Sequence, residues 1–487
     1  MEWTGRRLLT WLSATLLSAG LSAAPGQSAE YRPQSGGPDE LADMRTRMDA
    51  QEQELRALRS AMGQQQTQFA SLANEAMQAP EAAEENAGLK EIEILTKPTY
   101  KIGGRIYLDH LISDQDGLHE ATYGDAENRT RFDTARIRVE GAVYENVEYM
   151  IEIAFGEAGV KANGTQNVDR PVFKDVFIAY TELAYIGTIR AGHFKEPFSL
   201  DELSSNRFTT FMERPLMNAV VSSRNIGIMA YNSVDESDNL SWYTGVFRPE
   251  SDDDPPDVSE DRADYAWTSR IAWNPFYDEP TEGRYLLHLG AGFSYREYGD
   301  DTVSYSKDHE LNLIYPVGNP LRATFLVDDL QLFNLEAAWV NGPFHVSAEW
   351  TYANLNAPTG ALDGEFDGGY VQVGYFLTGE HRGYRKQYHA FDRVKVYEPF
   401  FCVTTADGCC KGHGAWELKA RWGYMDLTDA GIEGGHAQNV SCGVNWYLNS
   451  YARLMFDYIH GDSEDAPITG LDGGETDLLG MRAQVDW

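Results

Sequence analysis

The chain closes on Leu479-Gly480-Met481-Arg482-Ala483-Gln484-Val485-Asp486-Trp487. On a strand, Leu479, Met481, Ala483, Val485 and Trp487 share one face, and Gly480, Arg482, Gln484 and Asp486 share the other. Apolar and polar residues thus alternate up to a terminal ring. A transmembrane β-barrel needs this pattern, with one face in lipid, one in water and the aromatic at the interface. A soluble sandwich strand also alternates, so the last strand alone does not decide. Recurrence of the pattern behind an export signal does.

The N-terminus carries that signal. Arg6-Arg7 is a short basic region, Leu8 to Leu21 is apolar, and Ser22-Ala23-Ala24 offers a small-residue cleavage site, so residues 1–24 read as a signal peptide. The apolar run is too short to span a bilayer as a helix, and no later run reaches the ~18 residues required. If the chain lies in a membrane, it lies there as a barrel. Composition agrees: 45 Gly, 27 Tyr, 21 Phe and 11 Trp accompany a mean hydropathy of −0.45. Aromatic girdles around a wet interior produce that combination. Charge is one-sided, with 40 Lys+Arg against 75 Asp+Glu for a net −35, which excludes nucleic acid as an ordinary partner.

Behind the signal, Leu41, Met48, Leu55, Met62, Phe69 and Ala76 recur every seven residues, with Met44, Gln51, Leu58, Gln65 and Leu72 three further on. This is the seam of a coiled coil over residues 38–79, and it predicts association of several chains through parallel helices. Residues 80–98, with Pro80 and a run of Glu, read as a linker.

From 99 to 487 the sequence shows sixteen alternating segments, from 99–112 to 475–487 and including 283–298 and 328–341. The fold class is all-β, a sixteen-stranded antiparallel transmembrane β-barrel with an N-terminal α-helical coiled coil. Connections alternate between tight ones, such as Glu145-Asn146, Asn341-Gly342 and Asn449-Ser450, and long ones at 113–129, 199–223, 250–263 and 298–327. Outer-membrane barrels show this asymmetry, with short periplasmic turns and long external loops. An even strand count then puts both termini, and the coiled coil, in the periplasm.

Parity assigns the basic residues. In Thr134 to Glu140, Ala135, Ile137 and Val139 take the apolar side, so Arg136, Arg138 and Glu140 face the lumen. Arg105, Tyr107, Asp109, Arg190, Glu417, Lys419, Arg421, Arg482 and Asp486 face inward on the same reasoning. An Arg facing lipid at mid-bilayer costs ~2–4 kcal/mol, which makes parity a strong constraint. These cations either line an anion path or brace lumenal acids as salt bridges. The connection 199–223 is too rich in Phe and Leu for a solvated loop, and it is expected to pack inside the barrel and narrow it.

Gly192-His193-Phe194-Lys195-Glu196-Pro197-Phe198-Ser199-Leu200-Asp201-Glu202-Leu203, Phe211-Met212-Glu213-Arg214 and Ser223-Arg224-Asn225-Ile226-Gly227 resemble motifs of the phosphate-selective porins O and P. So do Tyr375 to Glu380, Gly414 to Leu418 with Ala420-Arg421, and Asn445 to Asn449, in matching order across nearly all of 99–487. The resemblance implies a trimeric sixteen-stranded porin whose third external loop enters the pore. It also implies passive diffusion of small inorganic anions, phosphate or polyphosphate in particular. Lys195, Arg214 and Arg224 fall on matched motifs and join the expected anion path. The net charge departs from the family's basic pores. Part of the excess crowds two external loops, at Glu250 to Asp261 and Glu464 to Glu475.

Four cysteines are present. Cys402, Cys409 and Cys410 lie in one long periplasmic connection, 380–413, where export favours a disulfide from Cys402 to Cys409 or Cys410. Cys442 is too far off to join them. No metal or cofactor is expected, although His413 stands beside these cysteines. No Ser/His/Asn arrangement suggests a barrel lipase, so no enzyme is expected. The expected partners are a homotrimer, outer-membrane lipid and lipopolysaccharide, and small anions. The alternative is a general or cation-preferring porin that also tethers the envelope through its coiled coil.

Overall fold

The computed structural model describes residues 98–155, 171–249, 265–313, 315–401, 403–405, 408–429, 431–466 and 471–487. The expected signal peptide at 1–24 and coiled coil at 38–79 lie outside the described residues, as does nearly all of the 80–98 linker.

Sixteen antiparallel strands close into a barrel. They are β1 (Lys101–Gln115), β2 (Arg129–Val143), β3 (Val147–Ala154), β4 (Val172–Leu183), β5 (Gly187–Lys195), β6 (Arg224–Ser233), β7 (Leu240–Arg248) and β8 (Tyr265–Tyr277). The ring continues through β9 (Tyr285–Lys307), β10 (Leu321–Asn341), β11 (Phe344–Asn356) and β12 (Gly364–Phe376). Two small hairpins follow, β13 (Tyr384–Arg385) with β14 (Ala390–Phe391) and β15 (Val403–Thr405) with β16 (Gly408–Cys410). The barrel then resumes with β17 (Ala415–Asp426), β18 (His436–Asn449), β19 (Ala452–Glu464) and β20 (Gly474–Asp486).

Closure is made by β1, which pairs with β2 on one side and with β20 on the other, from Arg105↔Asp486 to Gln115↔Thr476. A closed ring leaves no strand edge, so the strand ladders of the wall are paired all the way round without water. The final residue completes the seam: Trp487 N donates to Gly104 O and Gly104 N donates to Trp487 O, both at 3.0 Å. A Cβ at Gly104 would lie 2.5 Å from the Trp487 ring, so glycine is what lets the indole approach β1 this closely.

Strand parity holds around the wall. On β20, Leu479, Ala483 and Val485 are outward and exposed, while Gly480, Arg482, Gln484 and Asp486 are buried within. Elsewhere Ile137, Ile228, Trp267, Ile271, Leu335, Trp339, Trp422 and Val440 form the exposed apolar outer face. Cys442 also lies on that outer face, mid-way along β18.

Two connections differ from expectation. The loop expected at 298–327 is largely strand, because β9 and β10 run on as a hairpin and leave only 308–320 outside it. On this extension Thr302, Ser304, Arg322 and Thr324 point outward, and Leu321, Ala323, Phe325 and Val327 are buried inward. The polarity of the faces is reversed because the inward face packs on a loop inside the barrel. The connection 377–414 lies at the short-turn end but is no turn. It sends β13 and β14 into the lumen, with Arg382, Tyr384, His389 and Phe391 buried. The expected disulfide cannot be placed, since Cys402 is outside the described residues. Cys409 and Cys410 belong to β16, paired with Thr404 and Val403.

An outward residue in the lower half of β10 faces lipid on this reading. Leu335→Arg should lower the unfolding free energy by ~2–4 kcal/mol, measured by urea titration in lipid vesicles, with the folded form still detectable by its heat-shifted gel mobility.

Candidate functional site

The lumen is organised by one segment, residues 196–223, which leaves the end of β5, crosses the interior and returns at β6. It is the third long connection in chain order. Its polar backbone enters a space where few of its groups can meet water, so the wall must supply partners. Glu196 opens the segment fully buried, accepting from Arg296 Nη2, Asn225 Nδ2 and Thr268 Oγ1, each at 2.5 Å. A single helical turn, α1 (Leu200–Leu203), follows, and its Glu202 N–H donates to Ser199 Oγ. Its first amides donate to one carboxylate of the wall: Leu200 N to Glu349 Oε2 at 2.8 Å and Asp201 N to Glu349 Oε1 at 2.7 Å. Further on, Met212 N donates to Asp457 Oδ2 and Leu216 N to Glu310 Oε1, both at 2.8 Å.

Wall cations satisfy the carbonyls. Lys419 Nζ donates to Thr210 O at 2.8 Å, Arg453 Nη1 to Thr209 O at 2.8 Å, Arg421 to Glu213 O at 3.1 Å and Arg482 Nη1 to Met212 O at 2.6 Å. The apolar residues of the same segment take the spaces between. Phe198, Leu216, Met217 and Val220 pack on Phe325, Leu332, Phe366 and Met425. Met212 packs with Leu111, Met455 and Leu478, and with Leu311 and Leu313 of the 308–320 loop.

All the basic residues expected to face inward do so, in distinct company. Arg105 and Arg136 share Glu152, at 2.5 and 3.1 Å, and Arg138 pairs with Glu140 at 3.3 Å. Lys195 pairs with Glu202 at 3.2 Å, Arg214 with Asp201 at 2.8 Å and Glu202 at 2.9 Å, and Arg224 with Asp175 at 2.7 Å. Lys419 pairs with Asp457, and Arg421 with Glu310 at 2.5 Å. Arg190 differs. It donates to Tyr231 Oη at 3.1 Å and lies 4.1 Å from the Phe177 ring, with no carboxylate partner among the described residues. Most of the expected anion path is thus also bracing, and Arg190 is the member free of it.

Inward cations beyond that set are Arg270, paired with Glu336, and Arg296, together with Arg453. Parity alone exposes Arg270 in Trp267-Thr268-Ser269-Arg270-Ile271 and Arg453 in Arg453-Leu454-Met455, so the signal was present in the sequence. For Arg382 and Arg393, on the connection that enters the lumen from the short-turn end, no local pattern marks the position.

The loop's own acids divide. Burial pushes Glu202 up, but Arg214, Lys195 and Arg224 outweigh it and hold its carboxyl at about 2. Glu213 is pushed up to about 7 by burial and by Asp133, against the pull of Arg482 and Lys307. Geometry explains it. Asp109, Asp133 and Glu213 converge and share one guanidinium, that of Arg482, at 2.7, 3.1 and 2.8 Å. These three carboxylates have a divalent-metal arrangement, but Arg482 already supplies the cation.

A family model described as "Phosphate-selective porin O and P" matches residues 101–487. An uncharacterized protein of Caulobacter vibrioides is 27% identical over 406 residues, covering 80% of this chain and 74% of its own length. "Porin O" of Pseudomonas aeruginosa is 24% identical over 396 residues, covering 75% of this chain and 83% of its own. Among solved structures, OmpT of Vibrio cholerae matches 81% of this chain and 100% of its own, at TM-score 0.49 and 13% identity. An anion-selective porin from Comamonas acidovorans matches 80% and 100%, at TM-score 0.47 and 11% identity.

Glu213 gives a pH-dependent charge at the narrowing. Its proton binds as pH falls through about 7, which removes a negative charge, so anion preference should rise between pH 8 and pH 6. Reversal potentials in a planar bilayer at the two pH values check this, and Glu213→Gln should abolish most of the change.

Proposed function

The chain belongs to the phosphate-selective porin O and P family and is an outer-membrane porin; we propose that its channel passes small inorganic anions, phosphate and polyphosphate among them, by passive diffusion. The observation that carries this reading is the inward segment 196–223, which narrows the lumen beside the partly exposed Arg138, Lys195, Arg214 and Arg224. It forces permeating ions past basic side chains at close range. In a narrow low-dielectric passage a cation raises the local anion concentration more than it would in open water. The expected path comprises Arg105, Arg136, Arg138, Arg190, Lys195, Arg214, Arg224, Lys419 and Arg421. Arg190 weighs most, since no carboxylate among the described residues cancels it. We further propose a homotrimer in which the heptad seam of residues 38–79 gathers three chains in the periplasm.

The acids of the external loops act in the opposite sense. Their field is screened beyond ~8 Å at physiological salt. A second reading has support in the same ion pairs. If bracing cancels the lumenal cations, the net charge of −35 makes this a general or cation-preferring porin.

A KCl gradient across a planar bilayer separates the two. The proposal expects a reversal potential on the chloride side at about 0.15 M salt, and a chloride current reduced by added phosphate. A channel that prefers K⁺ and ignores phosphate contradicts it. Arg190→Glu breaks no ion pair among the described residues and should move the reversal potential toward cations while leaving the barrel folded.

A further inference from the structure

At the long-connection end of the barrel, the short helix Gly117–Tyr123 meets the 308–320 loop. Val317 N donates to Tyr123 O at 3.1 Å, and a Cβ at Gly124 would come within 3.0 Å of Pro316. At the centre of this contact are two histidines that the passage does not use. His119 and His309 are fully buried, with ring centroids 5.6 Å apart. Tyr123 and Tyr315 cover His119, at 4.7 and 5.6 Å.

The hydrogen bonds fix both imidazoles as neutral. Gln115 Oε1 accepts from Ala126 N at 2.7 Å, so its NH2 group donates to Gly124 O at 3.1 Å and to His119 Nδ1 at 2.7 Å. Nδ1 is therefore the bare nitrogen of His119, and a proton added there would set N–H against N–H. His309 donates from Nδ1 to Asn439 Oδ1 at 2.7 Å, and its bare Nε2 is buried with no partner among the described residues. A proton added there would find no acceptor, which is costly in a buried place. The surrounding acids do not take that role. Asp116 accepts from His119 N, Asp308 from Glu310 N, and Glu310 from Leu216 N and Arg421. Asp462, Asp472 and His460 complete the charged groups around the contact. Neither ring is in an ion pair among the described residues. Burial and the neighbouring His309 hold His119 down at about 3 against the pull of Asp116. Burial likewise lowers His309, against Asn439, Glu310 and Asp462.

We propose that His119 and His309 form an acid-released latch between the helix Gly117–Tyr123 and the 308–320 loop, and that its release loosens the inward segment 196–223. The link to that segment is short. Glu310 follows His309 in the chain, accepts from Leu216 N at 2.8 Å and pairs with Arg421 at 2.5 Å. Leu311 and Leu313 pack with Met212. Movement of the loop therefore takes away an amide acceptor and an apolar support of the inward segment together. The sign follows from linkage. An imidazole freed by opening titrates near its ordinary ~6.5, whereas the latched rings titrate lower. The latch is thus fully stable above that value and loses stability as pH falls from it toward the latched values. His119 alone should favour the open form about thirtyfold more at pH 5 than at pH 7.5. An anion-preferring or a cation-preferring channel could carry this latch.

The test uses the full-length protein carrying Glu213→Gln, which removes the titration at the narrowing. Single-channel conductance in a planar bilayer should rise and grow noisier between pH 7.5 and pH 5, and recover on neutralisation. Adding His119→Gln and His309→Gln, whose side chains take no proton, should hold conductance constant over that range. Loss of both rings can itself loosen the contact, so amide hydrogen exchange is read with both histidines in place. Corrected for the intrinsic effect of pH, exchange at residues 117–124 and 309–313 should accelerate about tenfold or more from pH 7.5 to pH 5, while β11 and β12 stay protected. Conductance or loop exchange that ignores pH with both histidines present overturns the proposal. So does an acid response of conductance that survives in the double histidine variant.

Discussion

A length of chain inside a barrel must satisfy its own backbone, and the rest of this structure follows from that. Residues 196–223 bring amides and carbonyls into a space that strands have already enclosed. Glu349, Asp457 and Glu310 accept the amides, and Lys419, Arg421, Arg453 and Arg482 donate to the carbonyls. Each interaction is charge-assisted and so among the stronger kinds of hydrogen bond. Charges of both signs are therefore required in the wall for the loop to stay inside, before any permeating ion is considered.

That requirement changes how lumenal charge is counted. An Arg that holds a carbonyl and a carboxylate, as Arg421 does with Glu213 O and Glu310, offers less of its field to a passing anion than its position suggests. Groups without a carboxylate partner carry more weight per charge, and among the described residues Arg190, Arg382 and Arg453 have none. The overall acidity of the chain and an anion-preferring passage are compatible for the same reason. Lumenal acids such as Glu152, Asp175, Glu336 and Asp457 are matched by cations, so they add little to the field of the passage.

Alternation made the wall legible. Arg482 against Ala483, and Arg136 against Ile137, could be assigned to lumen and lipid from the sequence, and the strand count of sixteen with its two classes of connection followed. The Phe- and Leu-rich stretch after Lys195 likewise announced a buried loop. Legibility ended where the loops themselves became the environment. Leu321, Ala323, Phe325 and Val327 point inward because Leu216, Met217 and Val220 stand there rather than water. A rule of polar-in and apolar-out therefore shortened the β9–β10 hairpin. The segment 380–397 gave no periodicity at all. It is held by scattered tertiary bonds, such as Phe391 N to Ser204 Oγ at 3.0 Å and Arg270 Nη2 to His389 O at 2.9 Å, which no local pattern encodes.

The central claim is that wall charges hold residues 196–223 across the lumen and thereby set the width of the passage. The most direct measurement is single-channel conductance of the triple variant Glu310→Ala, Glu349→Ala, Asp457→Ala. Removing these acceptors leaves four loop amides unpaired, at about 1–3 kcal/mol each, while the strand ladder that closes the barrel is untouched. The account predicts a barrel that still shows its heat-shifted gel mobility, with conductance larger and noisier than wild type. A folded variant with wild-type conductance and wild-type ion preference would contradict it.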